Sequence, residues 1–279
     1  MSNISKDYNK SLKDILKKYD GGNYSTENQP VPWEGFKDFV LVDKVKECDD
    51  IISFYFKPKD NKKLVKHIAG QYLPIKLKTD NKKYRDEIRT YSLSMKPNEY
   101  IYRISVKKIQ GGLISTYLHD ELQVGDIIEA MIPAGLFTLN KKKGNNPIVL
   151  LAGGIGITPL LSMLYDEVDE GKKIYFVQAV QNSKAQPFNY DIKKIAETSD
   201  VKSMVFYDRP LESDAQGNDY DFEGFITRQW LADNVPLNSS FYFCGPPPFM
   251  KNLNKCLLSL GVSKESINFE FFGEPQSME

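Results

Sequence analysis

Arg89-Thr90-Tyr91-Ser92-Leu93-Ser94 sets a permanent cation, an aromatic ring and a hydroxyl side by side. On an extended strand Arg89 and Tyr91 share one face and Ser92 takes the other. A charge and a ring on one face can grip a pyrophosphate and stack on a flat heterocycle. The same pair also suits an ordinary solvated strand. Further on, Gly111-Gly112-Leu113-Ile114-Ser115 opens a short helix. Glycines let the backbone approach an anion, and free N–H groups at a helix start favour negative charge. Ser115 adds a hydroxyl, and a plain turn with a cap is the alternative.

Three motifs lie in the second half. Ala152-Gly153-Gly154-Ile155-Gly156-Ile157-Thr158-Pro159 follows an apolar run that reads as a buried strand. Thr158 suits an N-cap and Pro159 the first helical position. A glycine-rich turn from strand to helix is where open α/β sheets hold nucleotide phosphates. The GxGxxG fingerprint is incomplete, because Pro159 takes the place of its third glycine. In Tyr242-Phe243-Cys244-Gly245-Pro246-Pro247-Pro248-Phe249-Met250 a strand ends at Cys244, which places this thiol beside the same crevice or else in a core. In Phe269-Glu270-Phe271-Phe272-Gly273-Glu274-Pro275, Glu270 stands among aromatics, either shuttling or stabilising charge or simply exposed.

The elements that must position these motifs fall into three zones. Residues 1–33 read as a helix with the apolar stripe Tyr8, Leu12, Ile15, Leu16 and Tyr19, then a linker after Gly21-Gly22. Residues 34–143 carry short strands (Ile51–Phe56, Leu73–Leu77, Tyr102–Val106) and one helical piece, Leu113–Leu122, which predicts a small antiparallel Greek-key β-barrel. Residues 144–279 alternate. Strands are predicted at Ile148–Ala152, Ile174–Val180, Ser203–Tyr207, Ser240–Cys244 and Ile267–Phe272. Helices are predicted at Thr158–Val168, Asp191–Glu197, Thr227–Leu231 and Pro248–Leu260. That rhythm predicts a doubly wound parallel α/β sheet, joined to the barrel by KKKGNN at 141–146.

Composition narrows the function. The 279 residues carry 37 basic and 37 acidic side chains, and this balance argues against a nucleic-acid binder. The apolar share of 41% supports packed cores. Cys48, Cys244 and Cys256 stand far apart, which argues against a disulfide scaffold, a zinc ribbon or an iron–sulfur cluster, and no metal site is expected. The uncharged run Pro147–Tyr165 is broken by three glycines and Pro159, so no membrane span is expected. The N-terminus lacks an apolar signal segment, which makes the cytoplasm the default expectation.

Each motif is modest; their order is specific. RTYSLS, GGLIS, GGIGITP, YFCGPPPFM and a terminal FFGEP together resemble the ferredoxin–NADP reductase superfamily, and most of all the reductase half of flavohaemoglobins. WEGFKDFVLVDKVKECDDIISFYFKP, HIAGQYLPIKL and YRISVKK resemble the same branch, so the likeness runs from about residue 33 to the C-terminus. The resemblance implies FAD on the barrel and NADH or NADPH on the sheet domain. It implies that Tyr72, Arg89, Tyr91, Ser92, Leu93, Val106, Gly112 and Ser115 contact FAD, with Glu270, Phe271, Phe272, Gly273 and Glu274 by the isoalloxazine. Gly154, Ile155, Gly156, Ile157, Thr158 and Pro159, with Cys244, Gly245 and Pro246, would line the nicotinamide nucleotide site. The ending departs from the family, which has Phe-Gly-Pro where this chain has Phe-Gly-Glu-Pro.

The expected function is an FAD-dependent oxidoreductase that takes hydride from NAD(P)H and passes electrons to a haem protein, an iron–sulfur protein or a small molecule. Ser92 is expected near flavin N5, Cys244 on the nicotinamide side, and Glu270 in tuning or proton delivery. The rivals are an electron-transfer subunit of a multi-component oxygenase or reductase and a non-catalytic nucleotide-binding adaptor. After the second sheet strand come Gln181-Asn182-Ser183-Lys184, without an acid to hold a ribose 2′-hydroxyl and with Ser183 and Lys184 able to accept a 2′-phosphate. The resemblance, by contrast, implies use of NADH, so both coenzymes are expected to serve with only a mild preference. Only 32 residues precede Trp33, too few for a globin, and no haem is expected on this chain.

Overall fold

A computed structural model describes residues 29–30, 32–140 and 146–273. The predicted helix at Tyr8–Tyr19, most of the 141–146 joint and Glu274 lie outside the described residues. The chain divides into two compact units between Thr138 and Leu139.

The first unit is a six-stranded antiparallel sheet: β1 Lys37–Lys46, β2 Ile51–Pro58, β3 Tyr72–Leu77, β4 Arg89–Ser92, β5 Tyr102–Lys107 and β6 Ile127–Ala130. The order is β4-β3-β6-β1-β2-β5, so β6 inserts between β3 and β1 as a Greek-key connection requires. The expected closed barrel is not formed by these strands. The bridge Leu93↔Ile104, with Ser94 N–H donating to Arg103 O at 3.0 Å and the Ser94 hydroxyl 2.7 Å from that of Ser105, draws the segment after β4 to β5. β4 has four residues, too short to pair with β5 along its length.

Alternation explains the core. Phe54, Phe56, Tyr102, Ile104 and Val106 join Phe39, Leu41, Leu73 and Ile75 in one apolar cluster. The opposite face of β2 and β5 is polar yet also buried: Ser53 and Ser94 each lie 2.7 Å from the Ser105 hydroxyl. Arg103 spans this seam, donating to Ser94 Oγ at 3.1 Å and to the Tyr55 hydroxyl at 3.3 Å. A short helix, α1 Lys82–Arg85, precedes β4, and α2 Leu113–Asp120 follows β5. Lys44 Nζ donates to the carbonyls of Leu118, His119 and Leu122, so a cation caps the carbonyl end of α2.

The second unit is a six-stranded parallel sheet of β7 Ile148–Gly153, β8 Ile174–Val180, β9 Lys202–Tyr207, β10 Phe222–Glu223, β11 Ser240–Cys244 and β12 Ile267–Glu270. Its order is β10-β9-β8-β7-β11-β12. The chain therefore builds outward from β7, then crosses back to β11, and the order reverses between β7 and β11. Helices α3 Ile157–Glu167, α4 Asn189–Thr198, α5 Arg228–Asn234 and α6 Pro247–Ser259 connect the strands. Two expectations need correction. β12 stops at Glu270 rather than Phe272, leaving Phe271–Gly273 irregular. Thr158 is not the N-cap: a 3-10 turn over Gly154–Gly156 starts the coil earlier, Gly156 takes the cap position, and Thr158 Oγ1 donates to Ile155 O at 3.1 Å. Pro159 is thus third in α3, where its missing N–H would have no partner within the helix.

Candidate functional site

In the first unit the candidate residues lie on β3 and edge strand β4, near the end of β5 and at the start of α2. Arg89 is exposed and its guanidinium reaches Glu87 Oε2 at 2.7 Å and the Ile88 carbonyl at 2.8 Å. Tyr91 lies against the apolar cluster, and burial pushes its phenol up to about 12 although Arg89 pulls the other way. Ser92 is buried on the face opposite, as strand alternation requires. Tyr72 pairs with Ser92 in register and is bridged to Ala134. Gly135, at φ +119°, lies so close that an added Cβ would stand 3.0 Å from the Tyr72 ring.

Leu93 and Val106 belong to the core, both essentially fully buried, and the Leu93 amide already donates to Gln71 O at 2.9 Å. The Val106 carbonyl already takes a 2.8 Å hydrogen bond from His119 Nε2. Burial lowers the affinity of this imidazole for a second proton. Gly111 has φ +72°, and at Gly112 an added Cβ would be 2.6 Å from Ser115 Oγ. Ser115 accepts from Ile109 N–H at 3.2 Å and so braces the turn it was expected to serve. α2 has neither an acidic residue in its first turn nor a side-chain cap. Its leading amides and the Arg89 cation suit an anion such as a pyrophosphate.

In the second unit the candidates meet at the strand ends where the order reverses. A Cβ added at Gly156 would lie 2.2 Å from the Cys244 carbonyl oxygen. At Gly245 it would stand 2.9 Å from Gly153 Cα. Gly156 and Gly245 therefore let two loops touch backbone to backbone, while Gly153 makes room for the Phe249 ring and the rim of Pro246. Gly154 differs: φ is +52° and nothing lies within 4 Å, so it is the glycine that faces open space. Ile155 is half-buried; Ile157, Thr158 and Pro159 are buried in the first turn of α3.

Cys244 is fully buried and pairs in register with Glu270. Burial, aided by the neighbouring Glu270 charge, holds the Cys244 thiol well above its usual range, so it stays neutral. Burial also pushes the Glu270 carboxyl up from 4.5 to about 7. Pro246 is exposed ahead of α6, and beyond Glu270 Phe271 packs on this unit's core while Phe272 and Gly273 are exposed. Sequence reasoning missed the loop that follows β9. Its Asp214 accepts from the Ser183 hydroxyl at 2.6 Å, across 31 residues. Among the described residues no group of His, Cys, Asp and Glu could hold a metal ion, and no helix is long and apolar enough to cross a membrane.

Residues 38–139 match the oxidoreductase FAD-binding domain family and residues 150–255 the oxidoreductase NAD-binding domain family. The chain is 42% identical over 256 residues to the flavohemoprotein of Bacillus thuringiensis subsp. konkukian (strain 97-27), covering 88% of this chain and 63% of that protein. It is 38% identical over 279 residues to the flavohemoprotein of Rhodopirellula baltica, covering 96% of this chain and 68% of that protein. The solved flavohem-like FAD/NAD-binding domain of nitric oxide dioxygenase from Vibrio cholerae superposes with a TM-score of 0.77 at 32% identity, covering 85% of this chain and 99% of that one.

An FAD-binding domain followed by an NAD-binding domain defines a two-domain flavin oxidoreductase with the ferredoxin reductase-like fold. Within that class the chain belongs to the flavohemoprotein family, matching its FAD/NAD-binding portion. It spans about 63% of the length of the first of these relatives.

Proposed function

We propose that this chain is an NAD(P)H-dependent FAD oxidoreductase that delivers electrons to a haem protein, an iron–sulfur protein or a small molecule in the cytoplasm. Residues 34–143 hold FAD and residues 144–279 hold the nicotinamide nucleotide. The observation that carries the reading is the seating of Gly156 on the Cys244 backbone. It puts the glycine turn, the thiol and Glu270 together where the strand order reverses. When bound, FAD accepts hydride from NAD(P)H and gives up electrons singly or in pairs.

The chain's own residues bind, orient and handle protons. Arg89 exchanges its surface partner Glu87 for the FAD pyrophosphate, and the α2 amides after Gly112 complete that cradle. Tyr91 and Tyr72 present rings, and the Ser92 hydroxyl is the hydrogen-bonding group toward flavin N5. Gly154 leaves room for the nucleotide, with Gly245 and Pro246 opposite. Cys244 contributes a neutral, compact wall on the nicotinamide side rather than a nucleophile. Glu270, titrating near neutrality, holds or releases one proton beside it.

Anaerobic titration of the FAD-loaded protein tests this. NADH or NADPH should bleach the flavin absorbance, and ferricyanide should restore it. Arg89→Ala removes a charge-assisted hydrogen bond of roughly 1.5–3 kcal/mol. FAD binding should then weaken on the order of ten- to a hundredfold. Unchanged affinity removes Arg89 from the site, and a flavin that neither coenzyme reduces makes the protein a non-catalytic adaptor.

A further inference from the structure

In sheets of this kind the residue that chooses between NADH and NADPH sits at the end of the second strand. An acid there takes the ribose 2′-hydroxyl, whereas a cation takes a 2′-phosphate. Here β8 runs on into Gln181-Asn182-Ser183-Lys184, which offers a hydroxyl and a cation but no acid. The fold supplies the acid from elsewhere. Asp208 N–H donates to Val180 O at 3.2 Å and Arg209 N–H to Gln181 O at 2.9 Å, so the loop after β9 runs along the end of β8. Asp214 then receives the Ser183 hydroxyl at 2.6 Å, the Ser183 amide at 3.3 Å and the Leu211 amide at 2.9 Å.

The direction of the first bond matters. Ser183 gives its only hydroxyl proton to Asp214, so lone pairs are what its oxygen has left for a ligand. Lone pairs beside a carboxylate accept from a ribose hydroxyl and repel a phosphate, which carries a charge of about −1.5 to −2. Lys184 and Arg209 offer opposing charge, but Lys184 already acts on the Asp214 carboxylate and Arg209 has Asp208 at 3.6 Å. The turn holding Ser183 is also firmly based. Gln186 just beyond it is buried, accepts from the Tyr207 hydroxyl and donates to Gln178 Oε1 at 3.2 Å.

We propose that Asp214, acting through Ser183, makes the coenzyme site select NADH over NADPH. This rests on the NAD(P)H reductase reading above and revises the expectation that both coenzymes serve with only a mild preference. The test is kcat/KM for each coenzyme with ferricyanide as acceptor, at one ionic strength, in the wild type, Asp214→Asn and Ser183→Ala. The wild type should favour NADH by at least about tenfold, the scale of one unit charge a few ångströms away at a partly exposed site. Asp214→Asn drops the charge, and with its one oxygen kept by the Ser183 and Leu211 amides its NH2 turns to Ser183 Oγ, which frees that hydroxyl's proton for a phosphate. It should narrow the ratio by about tenfold, through a lower KM for NADPH with kcat nearly unchanged. Ser183→Ala should raise KM for NADH. Binding of adenosine 2′-monophosphate, followed by calorimetry without turnover, should strengthen in Asp214→Asn. A wild type that prefers NADPH or shows no preference overturns the proposal, whether or not the variants fold. An unmoved ratio in a folded Asp214→Asn does the same. Failure of both coenzymes to reduce the flavin would instead sink the reductase reading itself.

Discussion

Glu270 and Cys244 face each other across two parallel strands, and burial favours the neutral form of both. For Glu270 this has a definite sign. Its folded carboxyl, raised from 4.5 to about 7, binds a proton more tightly than the unfolded one. The stability it contributes is full below pH 4.5 and is lost as pH rises through about 7. Glu270→Gln cannot lose a proton, so its melting temperature should gain on the wild type across that interval and level off above it. A difference that stays constant with pH would mean that Glu270 is not burdened by its surroundings. At this scale the sequence could single out candidates only where they stand within a few consecutive residues, as in Arg89–Ser92. It was silent on Asp214, because a carboxylate 31 residues from Ser183 has no local pattern to betray it. It also could not show that Ser115 and Val106 already have hydrogen-bond partners.

Among the elements, the glycine turn behaves differently from its sequence reading. Its glycines look alike as an anion cradle, but packing separates them. Gly156→Ala would press a methyl into the Cys244 carbonyl at 2.2 Å, and backbone cannot step aside as a side chain can. We expect a loss of about 3 kcal/mol or more, at the top of the overpacking range. Gly154→Ala meets open space and only the strain of its φ of +52°, about 1–2 kcal/mol. Denaturant melts of the two variants should differ accordingly, and equal losses would contradict the geometry. β8 and β11 were legible because continuous apolar runs bounded by turn residues are what a doubly covered parallel strand needs. The two-residue β10 and the four-residue α1 were not, since neither is long enough to show a period. The start of α3 was misplaced because a 3-10 turn has no sequence signature distinct from the helix it feeds.

For the molecule as a whole, the two compact units have separate cores, one built on Phe39, Phe54 and Tyr102, the other on Val149, Phe241 and Trp230. The rhythm of short strands followed by strand–helix alternation foretold this two-part plan. The order β4-β3-β6-β1-β2-β5 was beyond reach, because pairing between distant strands depends on which faces fit, not on local composition. The two tryptophans happen to report one unit each, Trp33 the first and Trp230 the second. FAD at about a hundred times its dissociation constant should stabilise its own unit by about 2.7 kcal/mol. In Trp230→Phe the remaining Trp33 transition should rise with FAD, while in Trp33→Phe the Trp230 transition should stay put. Equal shifts in both would mean that the units unfold together.

One ring places two loops under a shared constraint on mutation. Phe249 Cδ1 is the nearest atom to a Cβ at Gly153, 2.9 Å away, and to a Cβ at Gly245, 2.7 Å away. Neither glycine is therefore free to drift alone, and the order in which changes arrive decides which survive. Shrinking the ring first, as Phe249→Leu, should open a path for Gly153→Ala, whose other close neighbour is the rim of Pro246 at 3.0 Å. It should open none for Gly245→Ala, which still meets the Gly153 backbone at 2.9 Å. A double-mutant cycle should show this asymmetry as a favourable coupling of about 0.5–3 kcal/mol for Phe249 with Gly153 and a much smaller one with Gly245. Equal couplings would mean that the loops yield at the backbone, leaving Phe249 no say in which lineages of this fold are reachable.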